Sequence, residues 1–84
     1  MGKHHFNIHI QRVDPKRNMA RFYRLSLSET LFGGVSVIRS WGRVGTRGRE
    51  IVHLFDSEAE ALGLFLALAR RKRARGYRVA RGGG

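Results

Sequence analysis

Apolar and polar residues alternate along most of the first half of the chain. Phe6, Ile8 and Ile10 alternate with Asn7, His9 and Gln11. This is the period-two pattern of a half-buried strand, ending near Val13. Asp14-Pro15 then signals a turn, and a polar loop continues through Lys16, Arg17 and Asn18. A second alternating run places Tyr23, Leu25 and Leu27 on one face and Phe22, Arg24 and Ser26 on the other. The first two strands therefore read as an antiparallel hairpin. Gly33-Gly34 turns the chain into a third strand, Val35 to about Arg43. A fourth runs from Glu50 to Phe55, with Ile51, His53 and Phe55 alternating with Val52 and Leu54. Both of its faces are apolar, which predicts a central strand covered on part of each face.

The period then changes. Ser57 can cap a helix, and Glu60 completes the S-x-x-E box. Ala61, Leu62, Phe65, Leu68, Ala69 and Lys72 recur at helical spacing and are predicted to face the sheet, with Leu64 and Leu66 off that stripe. The helix should run to about Arg75, with Gly76 just past its end. Tyr77-Arg78-Val79 reads as a short edge strand. The predicted class is α+β: an antiparallel sheet of four or five strands with one long α-helix packed on one face. Residues 1–5 are expected to be flexible, 6–79 to form one domain, and 80–84 to be a disordered glycine-rich tail.

Charge sharpens the picture. The chain has 84 residues, of which 17 are basic and 6 acidic, for a net charge of +11. Self-repulsion on that scale points to a polyanionic partner, and charge alone does not choose among nucleic acid, an anionic membrane and acidic protein tails. Arg70, Arg71 and Arg73 belong to a run of cations reaching Arg81 without an acid among them. A helix end needs only a few cations, so phosphate contact is the expectation for this cluster. The chain has no cysteine, which excludes disulfides and thiolate metal sites. No apolar run reaches the roughly 18–20 residues of a membrane span. The N-terminus lacks an apolar signal core. A cytoplasmic protein with no membrane partner is expected.

No constellation suggests catalysis. The carboxylates form no pair suited to general acid–base work. Serines and threonines lack a His–Asp partnership. His9 and His53 fall on different strands, and no metal-binding or phosphate-loop spacing occurs. Neither an enzyme activity, a metal nor a cofactor is expected.

The most informative stretch is Ser40-Trp41-Gly42-Arg43-Val44-Gly45-Thr46-Arg47-Gly48-Arg49, a hairpin with a glycine-rich turn. Alternation puts Val35, Val37, Arg39, Trp41 and Arg43 on one face. The first two are core-like. The rest set the lone tryptophan between two arginines, which suits stacking on a base or sugar with cations meeting phosphates. A core tryptophan with cation–π contacts to its own arginines fits the same pattern.

Trp41-Gly42-Arg43 followed by Val44-Gly45 resembles the signature of the WGR domain family, found in DNA-dependent poly(ADP-ribose) polymerases and in bacterial proteins, some of them short and stand-alone. Asn18-Met19-Ala20-Arg21-Phe22-Tyr23 resembles that family's entry to a strand. Thr30-Leu31-Phe32-Gly33 resembles the hairpin of bacterial members. Phe55-Asp56-Ser57 and Lys72-Arg73-Ala74-Arg75-Gly76-Tyr77 resemble the opening and close of its helix. The likeness covers roughly Phe6 to Val79.

The resemblance implies a DNA-binding module of bacterial type that prefers ends, nicks or single-strand junctions. It implies roles for Trp41, Gly42 and Arg43 at the signature, with the tryptophan against a terminal nucleotide. Asn18 and Arg21 match the region that meets a strand end, Arg47 a basic position in the glycine turn, and Tyr77 a late tyrosine beside the DNA end. In the polymerases the domain also relays contacts between neighbours. RNA and a protein partner, docked on the sheet face and Leu64/Leu66, stay open.

Overall fold

The computed structural model describes residues 6–31 and 33–79. The expectations for residues 1–5, for Phe32 and for 80–84 lie outside them. Five strands, β1 (Phe6–Asp14), β2 (Met19–Glu29), β3 (Val35–Arg43), β4 (Arg49–Phe55) and β5 (Arg78–Val79), and one helix, α1 (Glu58–Ala74), follow in chain order. The sheet order is β4-β3-β2-β1-β5, and every pairing is antiparallel. This is the α+β arrangement expected.

Alternation decides the two faces. One rung aligns Ile10, Tyr23, Trp41 and Arg49 across four strands, and a neighbouring one aligns Ile8, Leu25, Arg39 and Ile51. These residues and Val35, Val37 and Leu27 lie on the side covered by α1. Ala61, Phe65 and Leu68 of the helix close the core over Tyr23, Leu25, Leu27, Val35 and Val37, with Ile10 and Tyr77. The opposite face is largely polar and carries no helix.

The helix ends follow from their sequence. Ser57 Oγ accepts from the Glu60 amide at 3.2 Å. At the other end the Gly76 amide donates to Arg73 O and the Tyr77 amide to Lys72 O, the paired bonds of a Schellman cap. That cap turns the chain back, so that Tyr77 is buried and β5 pairs with β1.

Two expectations are corrected. β4 is an edge strand, not a central one, and Val52 and Leu54 are 49% and 73% exposed on the open face. Its apolar character therefore reflects no second covering layer. On the helix, Leu64 packs against the core while Leu62 stays exposed, as does Leu66. Leu64 thus sits beside the Phe65 and Leu68 stripe and is not part of an outward patch.

Candidate nucleic-acid interface

The strand registers gather cations at one end of the molecule. Arg12, Arg21 and Arg43 share a rung at the ends of β1, β2 and β3. Arg49 begins β4 opposite Trp41. The C-terminal turns of α1 bring Arg71, Lys72, Arg73 and Arg75 to the same end. Four of the six acids lie at the opposite end: Glu29 closes β2, Asp56 follows β4, and Glu58 and Glu60 open α1.

At the basic end a cleft of about 260 Å³ is lined by Arg21, Phe22, Trp41, Gly42, Arg43, Lys72 and Tyr77. No described carboxylate lines it. Trp41 is half-buried: its ring packs against the core and also borders the cleft. The Arg39 guanidinium carbon lies 5.3 Å from the Trp41 ring centroid. The ring therefore meets the core and Arg39 on one side and keeps an edge on the cleft. Arg43 is oriented by Asn18, donating to its backbone oxygen at 3.1 Å and to Oδ1 at 3.3 Å. Asn18 can do this because it takes a left-handed conformation, φ 51°, at the end of a single 3-10 turn, Pro15–Arg17, that joins β1 to β2, which asparagine tolerates.

Lys72 is the residue that sequence reading passed over, as one more member of the sheet-facing stripe. Its Nζ lies 4.7 Å from the Tyr23 ring centroid and 5.2 Å from that of Tyr77. Burial, and then the neighbouring charges of Arg75, Arg39, Arg21 and Arg71, push its amine below the usual 10.5. Held on two aromatic faces among four guanidinium groups, this cation has no counter-charge among the described residues. The available signal was a lysine one turn beyond Leu68 on the apolar stripe of the helix. Arg39 Nε and Tyr23 Oη are also buried without a hydrogen-bond partner among the described residues.

The signature glycine has a packing role. A Cβ on Gly42 would lie 2.7 Å from Gly48 Cα and 3.3 Å from Phe22 Cε2. One on Gly48 would overlap the Trp41 carbonyl oxygen and approach Phe22 Cζ at 2.8 Å. The turn after β3 thus folds down over Phe22, which is only 4% exposed although it lies on the open face. Sequence reading placed Phe22 on that face without its cover. The signal was its register partner, a glycine.

The remaining predicted residues divide. Arg47 is exposed in the turn between β3 and β4, outside the cleft lining. Arg71 acts on Lys72 electrostatically. Arg70 is exposed and does not line the cleft. Arg73 lies on the other side of the helix, in a groove with Leu66, Arg78 and Val79, and its carbonyl accepts from Arg78. Among the described residues no group of three or more His, Asp or Glu could hold a metal ion. No described helix is long and apolar enough to cross a membrane.

An antiparallel sheet with one helix across it, a Trp-Gly-Arg run closing on its own glycine turn and a basic cleft lined by no described carboxylate define a small α+β module. The chain belongs to the WGR domain family, whose model matches residues 6–83. It is also 49% identical over 73 residues to y4dW, an uncharacterized protein of Sinorhizobium fredii (strain NBRC 101917 / NGR234). That match takes in 87% of this chain but 36% of the relative, so the chain spans about a third of the relative's length.

Proposed function

We propose that the chain binds DNA at ends, nicks or single-strand junctions, with the cleft receiving the terminal nucleotide. One observation carries the reading. Three aromatic residues, Phe22, Trp41 and Tyr77, and three cations, Arg21, Arg43 and Lys72, line one cleft to which no described acid contributes. Trp41 offers ring surface for stacking on a base or sugar, and the cations neutralise the adjoining phosphates. Arg43, fixed by Asn18, and Lys72, held over two tyrosine rings, are pre-positioned, which lowers the ordering cost of binding. Arg39, behind the tryptophan, adds positive potential and favours the electron-rich ring as a platform. Arg47 and the outer helix cations Arg70, Arg71 and Arg73 extend a basic rim that gathers phosphates without reading sequence. The role is that of a binding module of the cytoplasm, not an enzyme.

Fluorescence anisotropy with blunt, nicked, single-stranded and hairpin-closed DNA at several salt concentrations tests this reading. Ends and nicks should bind more tightly than closed duplex. If about four phosphates are engaged, the slope of log K against log salt should be about −3.5. A slope near zero, or no binding at low salt, removes nucleic acid as the partner. Equal affinity for open and closed duplex removes the preference for ends.

A further inference from the structure

We infer that the free edge of β4 pairs antiparallel with β4 of a second copy of the chain, joining two sheets across a two-fold axis at Val52. β4 has one neighbour, β3, so the other side of its backbone is unpaired by any described strand. Its seven residues, Arg49–Phe55, contain neither proline nor glycine. Edge strands are commonly blunted by proline, a bulge or a central charge. Here the charges sit at one end, Arg49 and Glu50, and the centre carries Ile51, Val52 and Leu54, all exposed.

Charge selects the occupant. β4 runs from the basic end of the molecule toward the acidic one, so an antiparallel partner copy brings unlike ends together. With Val52 on the axis, Val52 meets Val52 of the second copy and Ile51 meets its His53. Arg49 meets Phe55 of the second copy, which sets Arg47 and Arg49 beside its Asp56. Symmetry makes each contact twice. Glu50 falls opposite Leu54 of the second copy, and its carboxylate already accepts from Ser40 Oγ at 3.4 Å. An acidic peptide laid on the same edge would satisfy Arg49 and leave Asp56 facing like charge.

A two-fold axis normal to the sheet keeps both helices and both Trp41 clefts on one face. The two Arg49 positions, six residues apart in this register, are then separated by about 20 Å along the seam at the usual strand rise. Such a pair presents two clefts to nucleic acid and gains avidity from simultaneous engagement.

Sedimentation equilibrium of the full chain without nucleic acid tests the inference, so its failure leaves the cleft reading standing. From micromolar to millimolar concentration the protein should shift from 9.6 kDa to twice that mass. Val52→Lys puts like charges across the axis and should weaken association about tenfold. Asp56→Arg should weaken it by about the same factor, and Arg49→Glu combined with Asp56→Arg should restore it. All three side chains are exposed or half-exposed, so the fold is retained, which far-UV circular dichroism checks. A monomer throughout the range overturns the inference. So does a dimer indifferent to Val52→Lys and Asp56→Arg, or a double variant that fails to recover.

Discussion

Three glycines around the signature separate backbone conformation from close approach, and alanine at each gives a graded result. Gly45 and Gly48 both have positive φ, 95° and 73°. A Cβ at Gly45 meets nothing within 4 Å, whereas one at Gly48 meets the Trp41 carbonyl and the Phe22 ring. Gly45→Ala should therefore cost only the left-handed backbone term, about 1–2 kcal/mol. Gly48→Ala adds the overlap with backbone and a buried ring, about 1–3 kcal/mol more. Gly42 does not have positive φ, so Gly42→Ala bears the overlap alone. Loss of unfolded-state freedom offsets each by about 0.4–1 kcal/mol. For a domain of this size each kcal/mol moves Tm by about 4–8 °C. Thermal unfolding at neutral pH should then place Gly48→Ala at least about 5 °C below Gly45→Ala, with Gly42→Ala also destabilised. If Gly48→Ala melts within a degree or two of Gly45→Ala, the descent of the turn onto Phe22 is not what requires glycine at position 48.

Lys72→Gln should lower DNA affinity about tenfold while leaving stability at pH 7 unchanged or raised, measured by anisotropy and urea unfolding on the same sample. The sign follows from linkage. The Lys72 amine is held below 10.5 in the fold, so the fold bears the cost of its charge at lower pH. As pH rises through the folded value toward 10.5, the native state releases the proton first and the wild type gains stability. Lys72→Gln should lose that part of the rise, and an identical pH–stability curve would contradict the assignment. Arg71→Gln should weaken binding to every nucleic acid and make the salt slope shallower by about one phosphate unit, whereas Arg73→Gln, on the far side of the helix, should change less. Equal effects would place the ligand across the helix end and not in the cleft.

Much of this architecture was legible because alternation and helical spacing report which face a residue takes. The first three strands, the Ser57 cap, the turn at Gly76 and the shared face of Arg39, Trp41 and Arg43 all followed from those local rules. Sheet order did not. Val52 and Leu54 carry the same pattern whether a second layer covers them or water does, so β4 read as central. Lys72 faced the sheet as its spacing required. What lay beneath it, Tyr23 and the returning Tyr77, depended on the length of the helix and on the Schellman cap. Leu64 packs on the core and Leu62 stays exposed, a choice between the two flanks of the stripe that spacing alone does not make. Phe22 was placed on the open face correctly, but its burial comes from a non-local contact with the Gly42–Gly48 turn.

Trp41 is proposed to present ring surface to a strand end, and its own fluorescence reports on this, since the chain has no other tryptophan. Acrylamide quenching of the free protein should be appreciable, because the ring is half-exposed at the cleft. DNA with an open end should protect it, and hairpin-closed DNA of the same length should protect it less. Trp41→Ala should then cost about 1–3 kcal/mol of binding to the open end. Its cost in stability should fall below the roughly 3–5 kcal/mol of a fully buried tryptophan. A blue-shifted, quencher-resistant emission in the free protein, indifferent to either DNA, would contradict the account and leave Trp41 as a core residue.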